Sequence, residues 1–305
     1  MNLYIVLGSA VVGLLVGVTG AGGGALMTPM LILLFSVKPT AAISSDLVAA
    51  LVMRPLGAAV HFQRRTVNMR LVVWLAAGSI PAAFAGSYLL HLLGNTKAAT
   101  HNVEIALGGA LLLGAAAMAL RYVLDRRAGH QRRGIIHDVA VRPLPTLAVG
   151  ILGGFVVGMT SVGAGSLMIV LLMFLYPALG ANQLVGTDLA QAIPLTAAAA
   201  LGALAFGHVE IPLTASIIVG AVPAVFLGSL LSSRVPDRYL RPAIGIVILA
   251  SGLKYAGVGT SQLGWIVSLA LAAIGLNWVV SARPWDRRAI PVTSGNRNGS
   301  PPSPT

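Results

Sequence analysis

Two aspartates stand in long apolar stretches and are the residues of this sequence best placed for proton chemistry. Asp46 occurs in "AAISSDLVAALV" and Asp188 in "LVGTDLAQAI". Because an ionised carboxylate in apolar surroundings is costly unless it is paired, hydrated or protonated, each is a candidate proton-binding group. Each could instead hold the hydroxyl that precedes it, on Ser45 or Thr187. Helix capping is the alternative, because acids that follow hydroxyl residues suit a first helical turn.

Two further polar side chains share helix faces with the aspartates. Arg54 follows Asp46 by two helical turns, so it could balance that carboxylate or attract a small anion. Alternatively, the side chain of Arg54 could extend so that its charged end reaches a membrane surface and only its aliphatic stem is buried. Gln191 follows Asp188 by about one turn, which makes its amide a candidate polar lining of the same site.

Two glycine-rich stretches contain the other candidate anion-binding residues. They read "GVTGAGGGALMTP" at residues 17–29 and "GMTSVGAGSLM" at residues 158–168. Glycine costs about 1 kcal/mol relative to alanine in a helix, so each stretch is expected to break a helix. Freed amides at the start of the next helix favour an anion. The expected anion-binding residues are Thr19, Gly22, Gly23, Gly24, Ser45, Arg54, Thr160, Ser161, Gly163, Gly165, Thr187 and Gln191.

Other interpretations of the glycines were weighed against the anion site. Residues 20–25 match the G-x-G-x-x-A pattern of a dinucleotide loop, but "LMTPMLILLF" follows, which is not the amphipathic helix of a soluble α/β sheet. A purely structural re-entrant turn stays open. Two pairs of glycines with a spacing of four residues predict close helix packing instead: Gly13 with Gly17, and Gly154 with Gly158.

Composition shows which elements must position these residues. The 305 residues are 56% hydrophobic and only 9% charged, with a mean hydropathy of +0.87. A soluble domain needs more charge than this to cover its surface, so the sequence predicts an all-α polytopic membrane protein. Eleven apolar segments are expected, at 3–18, 25–36, 41–61, 71–93, 103–123, 145–159, 165–179, 185–206, 212–232, 240–257 and 263–281. The absence of cysteine excludes disulfides and thiolate chemistry.

Basic residues predict the orientation of the segments. Arginines concentrate at 64–70, 121–142, 234–241 and 283–297, and an even number of segments separates each cluster from the next. The positive-inside rule then places all four clusters in the cytoplasm, with the N-terminus outside and the C-terminus cytoplasmic. The net charge of +12 is therefore a topology signal, and no nucleic-acid partner is expected.

The sequence also contains an internal duplication. At an offset of 141 residues Gly17 meets Gly158, and at 142 Asp46 meets Asp188. Each copy holds five segments, an odd number, so the second copy is predicted to be inverted in the membrane. The expected divisions are a first repeat at 1–123, a basic cytoplasmic linker at 124–144, a second repeat at 145–257, an extra transmembrane helix at 258–282 and a disordered tail at 283–305. Inverted repeats with interrupted helices are typical of secondary transporters.

The quoted motifs, with "SSDL", "RPLGAAVHFQRRTVNMRLV" and "VGTDLAQAIPLT", resemble the TauE/SafE family of sulfite exporter-like permeases over about residues 5 to 257. The resemblance implies a carrier of sulfite, sulfoacetate or other small sulfur-containing or organic anions in the cytoplasmic membrane. The first copy has "SSDL" where "GTDL" is common, Arg54 replaces a usual lysine, and Gln191 replaces a common histidine. These differences bear on which anion is carried.

The sequence thus predicts a permease that moves a small anion by alternating access between the repeats, with Asp46 and Asp188 as candidates for proton coupling. An anion channel and an intramembrane enzyme are the alternatives, and His61, His208 and Asp188 would be the polar cluster of the enzyme. No cofactor or metal is expected, because the sequence has no nucleotide-binding motif in a fitting context and no metal-ligand cluster. The expected partners are the anion and membrane lipid, and a homo-oligomer stays open.

Overall fold

A computed structural model of the protein describes residues 2–19, 23–63, 67–93, 97–127, 140–163, 165, 167–207, 209–231, 237–259, 261–266 and 268–269. In these ranges the chain is helical and contains no strand. The principal helices are α1 Leu3–Thr19, α2 Gly24–Phe35, α3 Pro39–Gln63, α4 Met69–Leu93, α5 Lys97–Arg127, α6 Pro143–Thr160, α7 Leu167–Leu175, α8 Ala181–Phe206, α9 Ile211–Leu231 and α10 Asp237–Tyr255.

The helices match the first ten predicted segments, with the largest differences at the ends of α5 and α7 and at the start of α8, which begins at Ala181 rather than at residue 185. α5 is longer than the segment 103–123, since its polar ends continue the helix. The segment 165–179 is only partly helical, because α7 ends at Leu175, and Pro177, which follows, has no amide hydrogen to donate to a continuing helix. Most of the segment 263–281, and the tail, lie outside the described residues, as does most of the linker.

Five of the described helices are long and apolar enough to cross a membrane. The qualifying stretches are Met69–Leu93, His101–Arg121, Pro143–Thr160, Gln183–Phe206 and Ile211–Leu231. α2 is also apolar but has only 12 residues, and at about 1.5 Å per residue it cannot cross a hydrocarbon layer of about 30 Å. The prediction of a helical membrane protein is therefore confirmed at the level of helix length and composition.

Glycines allow two pairs of helices to approach closely. α1 packs along α9, and α4 packs along α6. A side chain on Gly17 would collide with the carbonyl oxygen of Val225, and one on Gly158 with that of Ala83. The same holds for Gly13 against Ala221 and for Gly154 against Ser79. The predicted packing role of these four glycines is confirmed.

α3 and α8 lie at the centre of the helix arrangement. α3 contacts α2, α8 and α9, while α8 contacts both α3 and α4. Both carry apolar side chains into the core, including Leu47 and Leu195, each fully buried. Their polar side chains are enclosed with these apolar groups, which places the two candidate aspartates inside the protein.

Candidate functional site

Asp46 lies inside α3 and is fully buried. Its Oδ2 accepts hydrogen bonds from the hydroxyls of Thr28, at 2.9 Å, and Ser161, at 2.8 Å. Its Oδ1 has no hydrogen-bond partner in the described part of the chain. Thr28 is on α2 and Ser161 directly follows α6, so this carboxylate joins three separate elements.

The helix-capping interpretation of both aspartates is wrong. α3 begins at Pro39 and α8 at Ala181, which puts Asp46 and Asp188 about two turns inside their helices, and neither first turn contains an acid. The apolar pattern obscured these starts, because the opening turns at "PTAAISS" and "ANQLVGT" contain several polar residues. The carboxylates are therefore interior groups of the two central helices.

Asp188 is almost fully buried on α8, and its Oδ1 has no hydrogen-bond partner among the described residues. One turn further along, the amide nitrogen of Gln191 donates to the hydroxyl of Ser79 on α4, at 2.6 Å. The amide oxygen of Gln191 is buried and, within the same described ranges, unpartnered. The predicted shared face of Asp188 and Gln191 thus presents two buried oxygens that can accept hydrogen bonds.

Arg54 completes the buried polar group. Its side chain is 9% exposed, and its Nε and Nη1 are buried without hydrogen-bond partners in the ranges that the structure describes. The guanidinium interacts electrostatically with Asp188 and Asp46. Its burial argues against extension to a surface. One cation thus lies within electrostatic range of two carboxylates that belong to different central helices.

The two glycine-rich stretches interrupt helices as expected and touch each other. α1 ends at Thr19 and α2 begins at Gly24, while α6 ends at Thr160 and α7 begins at Leu167. A side chain on Gly24 would collide with the backbone of Ser161. Gly163 and Gly165 have φ angles of 115° and 105°, which side chains rarely adopt. Gly20, Ala21, Gly22 and the side chain of Thr19 lie outside the described residues, as do His208 and the side chain of His61.

The hydroxyls that precede the aspartates have partners other than those aspartates. Ser45 Oγ accepts a hydrogen bond from the backbone amide of Glu210 at 3.3 Å, and Thr187 Oγ1 accepts one from the backbone amide of Asn68 at 3.1 Å. Each contact joins a central helix to the segment that leads into α9 or α4. The described contacts therefore do not show the expected bonds from these hydroxyls to the aspartates.

Thr160 also differs from its expected role as a donor to an anion. Its hydroxyl donates to the carbonyl of Val156 at 2.6 Å and accepts from the amide of Val162 at 3.2 Å. The residue therefore completes the end of α6. Gly23 precedes α2, and a side chain there would make only ordinary contacts.

Sequence reasoning missed two residues of the site, Thr28 and Ser79. Thr28 was within the quoted glycine-rich stretch, one turn into the helix that follows the break. Its spacing from Asp46 gives no signal, because the contact is formed by the turn between α2 and α3. Ser79 stands among small residues on α4 and is indistinguishable there from a packing residue. No cluster of three His, Cys, Asp or Glu side chains fit for a metal occurs in the described ranges.

Buried ionisable side chains on interrupted apolar helices are typical of membrane transport proteins. The chain belongs to the sulfite exporter TauE/SafE family, whose profile it matches over residues 5–255. The family resemblance noted from the motifs is thereby confirmed, and the protein is a membrane transporter of that family.

Two relatives from Bacillus subtilis (strain 168) agree with this assignment. One is the probable membrane transporter protein YjnA, which is 40% identical over 257 residues, 83% of this chain and 99% of the relative. The other is the probable membrane transporter protein YdhB, which is 22% identical over 252 residues, 82% of this chain and 98% of the relative. No solved structure matches the chain.

Proposed function

We propose that this protein is a secondary carrier that moves a small anion, such as sulfite, sulfoacetate or a related organosulfur or organic anion, across the cytoplasmic membrane. The observation that carries the proposal is Arg54, a buried cation within electrostatic range of Asp46 and Asp188, whose Nε and Nη1 have no hydrogen-bond partner in the part of the chain that the structure describes. The family name supports a sulfur oxyanion as the first ligand to test.

Physical chemistry explains why an anion suits this place. A guanidinium keeps its charge at any physiological pH, and buried donors without acceptors destabilise a protein. An oxyanion supplies acceptors to such donors through charge-assisted hydrogen bonds. The first amides of α2, at Gly24 and Ala25, precede the helix's own hydrogen bonds, which begin at Leu26 and Met27. They add the positive end of a helix dipole beside Ser161.

An inverted relation between the two halves is the second part of the proposal. Equivalent positions make exchanged contacts: the first copy's α1 packs on the second copy's α9, and the second copy's α6 packs on the first copy's α4. The bonds from Glu210 to Ser45 and from Asn68 to Thr187 are likewise exchanged between copies. This reciprocity supports an inverted relation between the copies, the arrangement from which we propose alternating access. The arginine clusters, by the positive-inside rule, support an N-terminus outside and a C-terminus in the cytoplasm.

Flux measurements with the purified full chain in sealed vesicles test the carrier. Sulfite, sulfoacetate, sulfate and small carboxylates are offered in turn, with and without a pH gradient. We expect saturable uptake and counterflow of at least one anion. Arg54→Gln should lower the apparent affinity at least tenfold, the equivalent of about 1.4 kcal/mol. Thr196→Val is the matched control, because that buried hydroxyl bonds only to the Ala192 carbonyl of its own helix in the described contacts.

Three results would contradict the carrier. If the folded protein transports none of these anions, the proposed function is wrong. Flux that never saturates and shows no counterflow identifies a channel. Covalent conversion of the anion in detergent identifies an enzyme.

A further inference from the structure

We propose that the two buried aspartates have different tasks: Asp188 takes up one proton with each bound anion, whereas Asp46 stays ionised as a fixed part of the junction between the glycine-rich stretches. This assignment rests on the proposed carrier function. It follows from the different surroundings that equivalent carboxylates have in the two copies.

The hydrogen bonds that Asp46 accepts favour its ionised form. Both donors are hydroxyls, from Thr28 and Ser161, and both reach the same oxygen, Oδ2. Hydrogen bonds to an ionised group are the strong ones, so protonation would weaken two interactions at once. Both donors belong to the elements that flank the helix breaks, and Ser161 also touches Gly24. Ionised Asp46 therefore fixes the junction.

Among the described residues no hydroxyl is found to donate a hydrogen bond to Asp188. At the position equivalent to Thr28 the second copy has Ile169, whose side chain carries no hydroxyl. Asp188 Oδ1 lacks a partner among the described residues, and so does Oε1 of Gln191, one helical turn away. A protonated carboxyl is a donor that an acceptor at this spacing can use, whereas an ionised carboxyl is only another acceptor. A proton on Asp188 thus satisfies atoms that ionisation leaves without partners.

The charged groups around Asp188 determine whether an anion can bind there while Asp188 is ionised. Those that act on it from the described residues are Arg54 on α3 and Arg121 on α5. α6 and α7 contain no titratable side chain, and Arg70 near the start of α4 is exposed.

Charge balance then couples the proton to the anion. Arg54 and Arg121 balance the two ionised aspartates, so each negative charge that a bound anion brings is uncompensated in a buried place, which is costly. One proton on Asp188 compensates one of the anion's negative charges. The carried ligand is therefore an oxyanion accompanied by one proton, and the charge moved per anion is one less than the anion's own charge.

Charge-to-flux ratios test this stoichiometry. The full chain is reconstituted in vesicles of phosphatidylethanolamine and phosphatidylglycerol, the membrane potential is clamped with potassium and valinomycin, and labelled sulfate or sulfoacetate is offered in its divalent form. We expect one elementary charge per anion for the wild type and two for Asp188→Asn. The wild-type flux should change by up to about tenfold per pH unit where proton uptake limits it, and this dependence should disappear in Asp188→Asn. Asp46→Asn should keep the ratio of one and the pH dependence, with less folded protein.

Infrared spectroscopy of the purified protein tests the assignment of the proton to Asp188 even if a variant transports no anion. Binding of the anion to the wild type should produce the band of a protonated carboxyl group, which Asp46→Asn keeps and Asp188→Asn loses. The assignment is overturned if the wild type moves the anion's full charge, if Asp188→Asn retains the band, or if Asp46→Asn alone loses the pH dependence. Failure of the wild type to move any tested anion counts against the carrier function instead.

Discussion

The hydroxyl of Ser161 donates to Oδ2 of Asp46 at 2.8 Å, and this bond connects the end of α6 to the interior of α3. Ser161 has a φ of 60°, one of two non-glycine residues with positive φ in the described ranges. That conformation costs a non-glycine residue about 1–2 kcal/mol. The position equivalent to Ser161 in the first copy is Gly20, so glycine is not excluded by the repeat itself. The serine is retained, at a cost in backbone strain, where its hydroxyl binds the carboxylate.

Substitution of Ser161 separates the hydrogen bond from the strain. Ser161→Ala removes the hydroxyl and keeps the strain, so we expect it to lose about 1.5–3 kcal/mol of stability. Ser161→Gly removes both and should lose less, because the strained conformation is relieved. Thermal unfolding of the purified proteins in detergent measures their stabilities, which should fall in the order wild type, Ser161→Gly, Ser161→Ala. Equal stability of the wild type and Ser161→Ala would show that the bond to Asp46 is not a stabilising contact.

Gly24→Ala should disrupt the junction of the two glycine-rich stretches. A methyl group there would collide with the backbone of Ser161, and backbone cannot move aside as a side chain can. We expect a loss of at least about 1–3 kcal/mol, the usual cost of overpacking. Gly23→Ala is the matched control, since its methyl group would lie 3.8 Å from Val16 and 3.9 Å from Met53. The yield of monodisperse protein after membrane extraction should fall for Gly24→Ala alone.

Gly17→Ala and Gly158→Ala should separate the helix pairs α1 with α9 and α4 with α6. In each case the added methyl group meets a backbone carbonyl, that of Val225 or Ala83. A lowered unfolding temperature is expected for both, by comparable amounts, because the contacts are equivalent in the two copies. Gly109→Ala on α5 has nothing within 4 Å of the new methyl group and should be neutral or slightly stabilising. Equal behaviour of all three variants would exclude close packing as the role of Gly17 and Gly158.

The two copies should place equivalent residues on opposite sides of the membrane. Met69 and Ile211 begin α4 and α9, and both side chains are well exposed, at 55% and 77%. Because the chain has no cysteine, Met69→Cys and Ile211→Cys each introduce a single thiol. A membrane-impermeant maleimide should label residue 211 in intact cells and residue 69 only in inside-out vesicles. Labelling of both from the same side would contradict the inverted arrangement.

The sequence was sufficient for the helices, the breaks and the residue types of the site. Apolar run lengths and glycine spacing determine these features locally, so α1, α2, α6 and the close-packing role of Gly158 follow from pattern, whereas its partner helix does not. The interior position of Asp46 and Asp188 also follows from their apolar segments, whereas the sequence left open whether Arg54 extends to a surface.

The partners of the site residues could not be predicted in the same way. The bond from Ser161 to Asp46 spans 115 residues of sequence, and the bond from Asn68 to Thr187 spans 119. Such contacts depend on how whole helices pack, and one-dimensional periodicity does not contain that information. The capping error has the same origin, since the polar first turns of α3 and α8 join their helices only through contacts with neighbours.

The pairing of α1 with α9 has a consequence for how the chain is made. α1 is complete at Thr19, but its packing partner begins only at Ile211, and at about 5–20 residues per second the ribosome needs on the order of ten seconds or more to reach it. During that interval the glycine face of α1 lacks the helix against which it packs. The packing of α1 on α9 therefore cannot form until the second half of the chain has been made.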